Sequence, residues 1–261
     1  MKKIYFIISV FLFINFTTAS LSQSKYNLLT LKEKFDEANN LYNDSKYNKS
    51  IEIYNLILES GYESSELYFN LGNSYYKLND LANSILFYEK SLKLNSTDSD
   101  VINNLKIANN SLIDDIAIVQ QSFFNELLNN ISNSLRYSSW GTLLIFLSFL
   151  FLLLFLIYFF SNIPYVKRTT FTSMFLLIII IVIVIKISLI SYEKVYLQKY
   201  AIVFSTKIEI KSDPNEKSEN LFNLHLGTKV EVIENFNDKW AKIKLVNGQE
   251  GWIKINEIKI I

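Results

Sequence analysis

Two uncharged apolar runs, Tyr137 to Val166 and Thr169 to Ile185, separated only by Lys167 and Arg168, constrain this chain more than any other feature. The first is dense in Leu, Phe and Ile from Trp140 to Phe160, and a helix needs roughly 20 such residues to cross the hydrocarbon core of a bilayer. The second, Phe171 to Ile190, holds one charge, Lys186, near its end, where a flexible four-carbon stem carries the ammonium out to the headgroups. A soluble core helix is the alternative, but two runs with so few polar residues leave a soluble domain nowhere to bury them. The pair reads as a transmembrane hairpin, with spans over 140–160 and 171–190 joined by a loop at 161–168.

Charge sets the expected orientation. The 161–168 loop holds two cations and no acid, and short basic loops stay on the cytoplasmic side, so both flanking regions are expected to face away from the cytoplasm. The first residues agree. Lys2 and Lys3 precede the apolar stretch Ile4 to Phe16 and the small residues Thr17, Thr18, Ala19, Ser20 and Ser22, which together resemble a secretory signal peptide over 1–22. Left uncut, the same segment is an anchor and the chain after it is still exported. There is no cysteine, which excludes disulfides and a lipid-anchored N-terminal Cys. The net charge of +1 conceals a division: residues 23–136 carry 10 basic and 15 acidic side chains, and 194–261 carry 11 and 9. Neither region is basic enough to suggest nucleic acid as a partner.

Between Leu31 and Asp98 the chain repeats with a period of 34: Phe35, Asn39, Tyr42, Ser50, Ile51, Tyr54 and Leu58 recur as Phe69, Asn73, Tyr76, Ser84, Ile85, Tyr88 and Leu92. That period with helical apolar spacing is the signature of tetratricopeptide repeats, here two copies over 31–98. Tyr68, Leu71, Gly72 and Tyr75 fill the pattern of the first helix in the second copy, and Ala38 stands for the glycine in the first. A small residue at 38 or 72 lets the second helix of a hairpin approach closely, and the aromatics at 54, 75 and 88 fill the gaps between stacked hairpins. These are packing positions.

Function in such arrays lies on the concave face lined by the first helix of each repeat. That face carries Phe35, Asn39, Tyr42 and Asn43 from the first copy, and Glu66, Phe69, Asn73, Tyr76 and Lys77 from the second. Asn can pair with the backbone of an extended peptide, and Tyr and Phe supply contact area at low entropic cost. The competing reading of Asn39 and Asn73 is that they stabilise neighbouring helices. Two repeats bury little alone, so 99–120 is expected to be a cap, with Ile102, Leu105 and Ala108 covering the last hairpin. Apolar residues at 124, 127, 128, 131 and 135 then predict an amphipathic juxtamembrane helix over 122–137, lying in the interface or packed beneath the repeats.

From Tyr196 the texture changes to period-two alternation. Five short strands, Ile202 to Phe204, Ile208 to Ile210, Lys229 to Ile233, Trp240 to Leu245 and Gly251 to Ile255, are divided by turn signals at Asp213-Pro214-Asn215, Gly227 and Asn247-Gly248. Asn247-Gly248 is the strongest hairpin signal, a pair suited to positive φ at both positions. The segment predicts a small barrel over 198–261 and resembles the bacterial SH3 family. The resemblance lies in Ile208 to Ser212, Leu226 to Val232, Trp240 to Ile243 and the Gly251-Trp252-Ile253 end, with Asp213-Pro214 where the family has Gly-Pro. Related barrels bind short peptides or cell-wall fragments, so the resemblance implies binding, not chemistry. Trp240 is the candidate exposed platform, and Trp252 is expected in the core.

Little else suggests catalysis. His225 is the single histidine, and without cysteine or a second imidazole it cannot build a common zinc site; a structural or solvent-facing role is expected. Asp114-Asp115 is an adjacent acid pair and is expected at a helix edge without partners. With no phosphate loop, nucleophile elbow or HExxH, no enzymatic activity, cofactor or metal is expected. The fold class that emerges is a multidomain membrane protein: an all-α repeat array, a two-helix transmembrane hairpin and a small all-β SH3-like barrel.

That order of parts resembles the E-type branch of the Bacteroides aerotolerance family. Two segments carry the likeness beyond domain order, Asp100 to Ala108 (DVINNLKIA) and Leu224 to Thr228 (LHLGT). The resemblance implies a two-pass protein of a Gram-negative inner membrane with both soluble regions periplasmic. It also implies work beside von Willebrand factor A-type membrane proteins and a MoxR-type ATPase, in oxygen or stress tolerance. The reading from the residues is a non-enzymatic adaptor whose array and barrel face the same side, where two weak sites joined raise avidity. The competing reading is a cell-wall sensor whose barrel binds peptidoglycan.

Overall fold

The computed structural model describes residues 30–116 and 123–261. The expected signal peptide, and residues 117–120 at the end of the expected cap, lie outside the described residues. Helices α1 (30–43), α2 (Tyr47–Glu59), α3 (Ser65–Lys77) and α4 (Leu81–Leu94) form two helical hairpins, capped by α5 (Ser99–Asn109). Their starts are written locally: Ser64 accepts from the Leu67 N–H, Asp80 from Asn83 and Asp98 from Asp100 and Val101, each satisfying amide donors that a helix start leaves bare. The turn inside each hairpin places one residue in the left-handed region, Ser45 at φ 61° and Asn79 at φ 60°, one repeat length apart.

The close approach expected at position 72 is present. Gly72 is buried under the Tyr88 ring, and a Cβ built there would sit 2.5 Å from the ring carbon Cδ1. The cap differs slightly from expectation, because it buries Val101 and Ala108 fully while Ile102 is exposed. Leu105 packs partly against the same cluster.

After α6 (Phe123–Asn133), helices α7 (Tyr137–Phe160) and α8 (Pro164–Tyr192) pair as an antiparallel hairpin. Both are long and apolar enough to cross a membrane. The connection is tighter than the expected eight-residue loop. Pro164 opens α8, where its missing N–H costs nothing, and so Lys167 and Arg168 lie in the first turns of that helix. The array-side ends of the two apolar helices meet α6, where the Trp140 indole N–H donates to the Ser132 carbonyl at 3.3 Å and Ile131 packs against the hairpin.

A short π-turn (Glu193–Leu197) leads into a seven-stranded antiparallel sheet. Its strands are β1 (Lys199–Val203), β2 (Lys207–Lys211), β3 (Asn220–His225), β4 (Lys229–Phe236), β5 (Trp240–Lys244), β6 (Glu250–Lys254) and β7 (Ile258–Ile260), in the order β3-β2-β6-β5-β4-β1-β7. The alternation of the sequence predicts five of these. β3 lacks a clean period of two, since only Leu224 is buried in it, and β7 has three residues. The turn chemistry also differs. The pair with positive φ at both centres is Asn237 and Asp238, between β4 and β5, closed by a Lys239 N–H bond to the Phe236 carbonyl, the pattern of a type I′ turn. At Asn247-Gly248 only the glycine is left-handed; Asn247 uses its side chain to accept from the Gln249 N–H.

β1 is buried over Ala201, Ile202 and Val203 without alternation, because it is covered on both faces. Ala201 and Val203 belong to the barrel core, and Ile202 belongs to the cluster formed by Ile85, Val101 and Ala108 of the array. Array and barrel therefore share apolar surface, each fully buried aliphatic side chain contributing roughly 1.5–3 kcal/mol.

Replacing Gly72 with alanine drives a methyl into the Tyr88 ring and is expected to lower stability by about 1–3 kcal/mol. Thermal unfolding of the full chain in detergent reads this, and a Gly72→Ala protein as stable as wild type would contradict the packing.

Candidate functional site

The repeat array carries a polar ladder inside its groove. Asn39 Oδ1 accepts from the Tyr54 hydroxyl at 2.6 Å and from the Asn70 amide at 2.9 Å. One repeat later Asn73 Oδ1 accepts from the Tyr88 hydroxyl at 2.7 Å and from the Asn104 amide at 2.8 Å. Every member recurs after 34 residues, so Asn104 in α5 makes the cap a third half-repeat in chemistry as well as in shape. The aromatics follow the same rule: Phe35 lies 5.9 Å from Tyr54 and Phe69 lies 6.0 Å from Tyr88, centroid to centroid. Burial raises the Tyr54 phenol above its ordinary range and pushes Tyr88 up to about 12, so both remain neutral donors. The side-chain oxygens of Asn39 and Asn73 are thus engaged between helices. Asn70 and Asn104 were not expected in the ladder; the signal for them was their own 34-residue spacing.

What stays open on the concave face is a cleft of about 210 Å³ lined by Tyr42, Asn73, Tyr76, Lys77, Tyr88, Asn104 and Ile107. Of the nine residues expected on this face, Tyr42, Asn73, Tyr76 and Lys77 come together here. Asn43 and Glu66 are exposed outside it, and Phe35, Asn39 and Phe69 are half-buried in the packing. Tyr42 rests edge-on against Tyr47 at 5.3 Å, which fixes its ring at the rim.

On the barrel, strand alternation sorts the aromatics. β5 turns Ala241 and Ile243 inward and Trp240, Lys242 and Lys244 outward, while β6 turns Gly251 and Ile253 inward and Glu250, Trp252 and Lys254 outward. Trp252 is therefore half-buried on the outer face and not in the core, against expectation, and it meets Phe236 edge-on at 6.1 Å. The physical reason is close packing at its neighbour: Gly251 lies against the Ile210 side chain and the Lys211 carbonyl, which leaves no room inside for an indole. Trp240 faces the same side, opposite Phe236 in register. The outer face thus carries three aromatics, Phe236, Trp240 and Trp252.

A third constellation joins the two domains. Asp114 is not a lone acid at a helix edge: it accepts from the His225 backbone N–H at 2.7 Å and the Thr228 hydroxyl at 2.6 Å, and lies 2.6 Å from His225 Nδ1. Burial works against its charge, but the Thr228 and His225 hydrogen bonds outweigh it and hold the carboxyl below the usual range. Thr228 donates to the carboxylate and not to the imidazole, so the trio is built around an anion and not around a nucleophile. Leu112 presses on Gly227, which has φ +89°; no side chain fits between them. Lys229 reaches Glu89 of α4 at 2.6 Å, and Ile116 packs on the barrel core. The segment 110–116 is thus a strap that seats the array on the barrel.

Two protein-family models match the chain. The tetratricopeptide repeat model matches residues 65–98, and the bacterial SH3 domain model matches 207–256. The chain accordingly carries a tetratricopeptide repeat and a bacterial SH3 domain. No curated protein matches it. Among solved structures, an NlpC/P60 family protein from Bacillus cereus is similar at 19% identity over 24% of this chain and 20% of its own length, with a TM-score of 0.21. This chain thus spans a fifth of that protein, and the score carries no weight on fold or function.

The folded-state pKa of Asp114 is depressed, so its contribution to stability is full above the unfolded value, about 3.9, and is lost as pH falls through the folded one. An Asp114→Asn chain is expected to lose less stability than wild type on acidification below that range. Parallel melting curves for the two as pH falls from about 4 to about 2 would count against the strap.

Proposed function

We propose that this chain is a non-enzymatic membrane adaptor of the Bacteroides aerotolerance type, in which a repeat groove and an SH3-like barrel are presented together on the periplasmic side of a Gram-negative inner membrane. The single observation that carries the reading is the strap: Asp114, Leu112 and Ile116 seat the array on the barrel, so the open cleft of Tyr42, Asn73, Tyr76 and Lys77 is held in fixed relation to the barrel and the hairpin. Such preorganisation removes much of the entropic cost of binding a partner at two places. The likeness to the aerotolerance family supports the setting. Its LHLGT segment supplies His225, Gly227 and Thr228, the barrel residues that receive the strap, and its DVINNLKIA segment supplies Val101, Asn104 and Ala108 to the cap. The partners implied are von Willebrand factor A-type membrane proteins, beside a MoxR-type ATPase. The basic start of α8, with Lys167 and Arg168, supports a cytoplasmic hairpin turn.

The outer aromatics Phe236, Trp240 and Trp252 favour a second reading, in which the barrel binds peptidoglycan, since flat rings stack on sugar and peptide surfaces. The two readings separate on different residues. Co-purification of a co-expressed von Willebrand factor A-type membrane protein is expected with the full chain and is expected to fall at least tenfold with Tyr42→Ala plus Tyr76→Ala, as two interface aromatics carry roughly 1–2 kcal/mol each. Equal recovery from both proteins would remove the cleft from the adaptor reading. Retention on purified sacculi that is lost with Trp240→Ala would instead favour the wall. The Asn39 and Asn73 positions are unsuited to such a test, because Asn73→Ala strips the acceptor from two donors and is expected to cost about 1–3 kcal/mol of folding stability, measurable by chemical denaturation.

A further inference from the structure

A cavity of about 690 Å³ opens where the array, the hairpin and the barrel meet, bounded by α4, the ends of α6 and α8, the start of α7, and β1 and β7. Five cations line it, Lys90, Lys93, Arg136, Lys194 and Lys229, against two acids, Glu63 and Glu89. Glu89 is already taken by Lys229 at 2.6 Å. Lys93 donates to the Ile261 main-chain oxygen at 2.9 Å, and the other three cations are held by uncharged groups. Arg136 donates to Asn95 Oδ1 at 2.8 Å, and Lys194 donates to Ser132 Oγ at 2.8 Å and Asn133 Oδ1 at 3.1 Å. Lys90 lies 5.7 Å from the centroid of Tyr68 and 5.9 Å from that of Phe87. Among the described residues none of these three forms an ion pair with a carboxylate. Lys90 is also withdrawn from water far enough for burial to lower its pKa. Arg136 is exposed, but Lys194, like Lys90, is withdrawn from water far enough for burial to lower its pKa; desolvating those two cations without an anion is costly, and the cost is met when an anion enters.

The position of the cavity says which anion. Arg136 immediately precedes α7 and Lys194 follows α8, so both sit at the same end of the hairpin. Tyr137, Tyr192 and Tyr196 cluster there with ring centroids 5.0–5.6 Å apart, and Tyr137 and Tyr196 also line the cavity. Tyrosines gathered at a span end mark the headgroup level of a bilayer. We propose that this cavity binds the phosphate of an anionic phospholipid headgroup, with Arg136, Lys194 and Lys90 supplying the charge. A bound headgroup would join array, hairpin and barrel through one ligand, a role beyond the adaptor function itself.

The test uses the full chain in a non-ionic detergent, titrated with phosphatidylglycerol and read by native mass spectrometry. One phosphatidylglycerol is expected to be retained under conditions where phosphatidylcholine is not. Arg136→Gln plus Lys194→Gln is expected to weaken retention by about fivefold per cation removed, while Lys167→Gln plus Arg168→Gln, at the other end of the hairpin, leaves it unchanged. Should the first double variant fail to fold, Lys90→Gln alone is read against the same expectation. Retention equal to wild type in either cavity variant, equal losses at both ends of the hairpin, or equal retention of phosphatidylcholine overturns the proposal. Displacement of the lipid by inorganic phosphate at matching concentration overturns the lipid assignment in favour of a soluble anion.

Discussion

The carboxylate of Asp114 is the interaction on which the arrangement of this molecule depends. It leaves the repeat array on a short strap, enters the barrel at the turn after β3, and there takes two donors from His225 and Thr228 together with the imidazole nitrogen. Its side chain is 12% exposed, so it is an anion largely removed from water, tolerable only because the surrounding donors replace the hydration it gives up. Around it the apolar contacts follow: Leu112 on Gly227, Ile116 on the barrel core, and Ile202 of β1 in the cluster of the array. Remove the anion and those contacts lose the feature that fixes their register.

Seating the array on the barrel has a consequence for the base of the apolar hairpin. The last helix of the second repeat, α6 and the exit of α8 close around one basic cavity beside a cluster of tyrosines, which neither domain would form alone. The tetratricopeptide cleft and the aromatic face of the barrel are likewise held by one scaffold. A tether of flexible linkers would leave such sites to find a partner independently, whereas a seated pair presents them at a fixed spacing.

Periodicity made much of this legible in the sequence. The 34-residue repeat located both helical hairpins, and the closeness of Gly72 to Tyr88 is the contact that the repeat spacing implies. The two apolar helices were plain from length and composition. The ladder was half visible: Asn39 and Asn73 stood out, but on a helix face alone they read equally as ligand contacts or as braces, and only the positions of Tyr54, Asn70, Tyr88 and Asn104 decide between these. β3 and Trp252 were missed because their patterns are ambiguous. An irregular run such as Asn220 to His225 carries no period, and an aromatic in a short strand fits either face until its neighbours, here Gly251 and Ile253, occupy the inside. Asp114 was missed for a different reason. Its partners lie 111 and 114 residues away, and no local pattern announces a contact between domains.

The central claim is that array and barrel form one seated unit, and distance measurement tests it most directly. The chain has no cysteine, so spin labels at Glu52→Cys, on the exposed side of α2, and at Lys217→Cys, in the exposed β2–β3 loop, report on nothing else. Pulsed electron paramagnetic resonance of the full chain in nanodiscs is predicted to give one narrow distance distribution that broadens when Asp114→Ala is added. A broad distribution in the otherwise unaltered chain, unchanged by that substitution, would contradict the account.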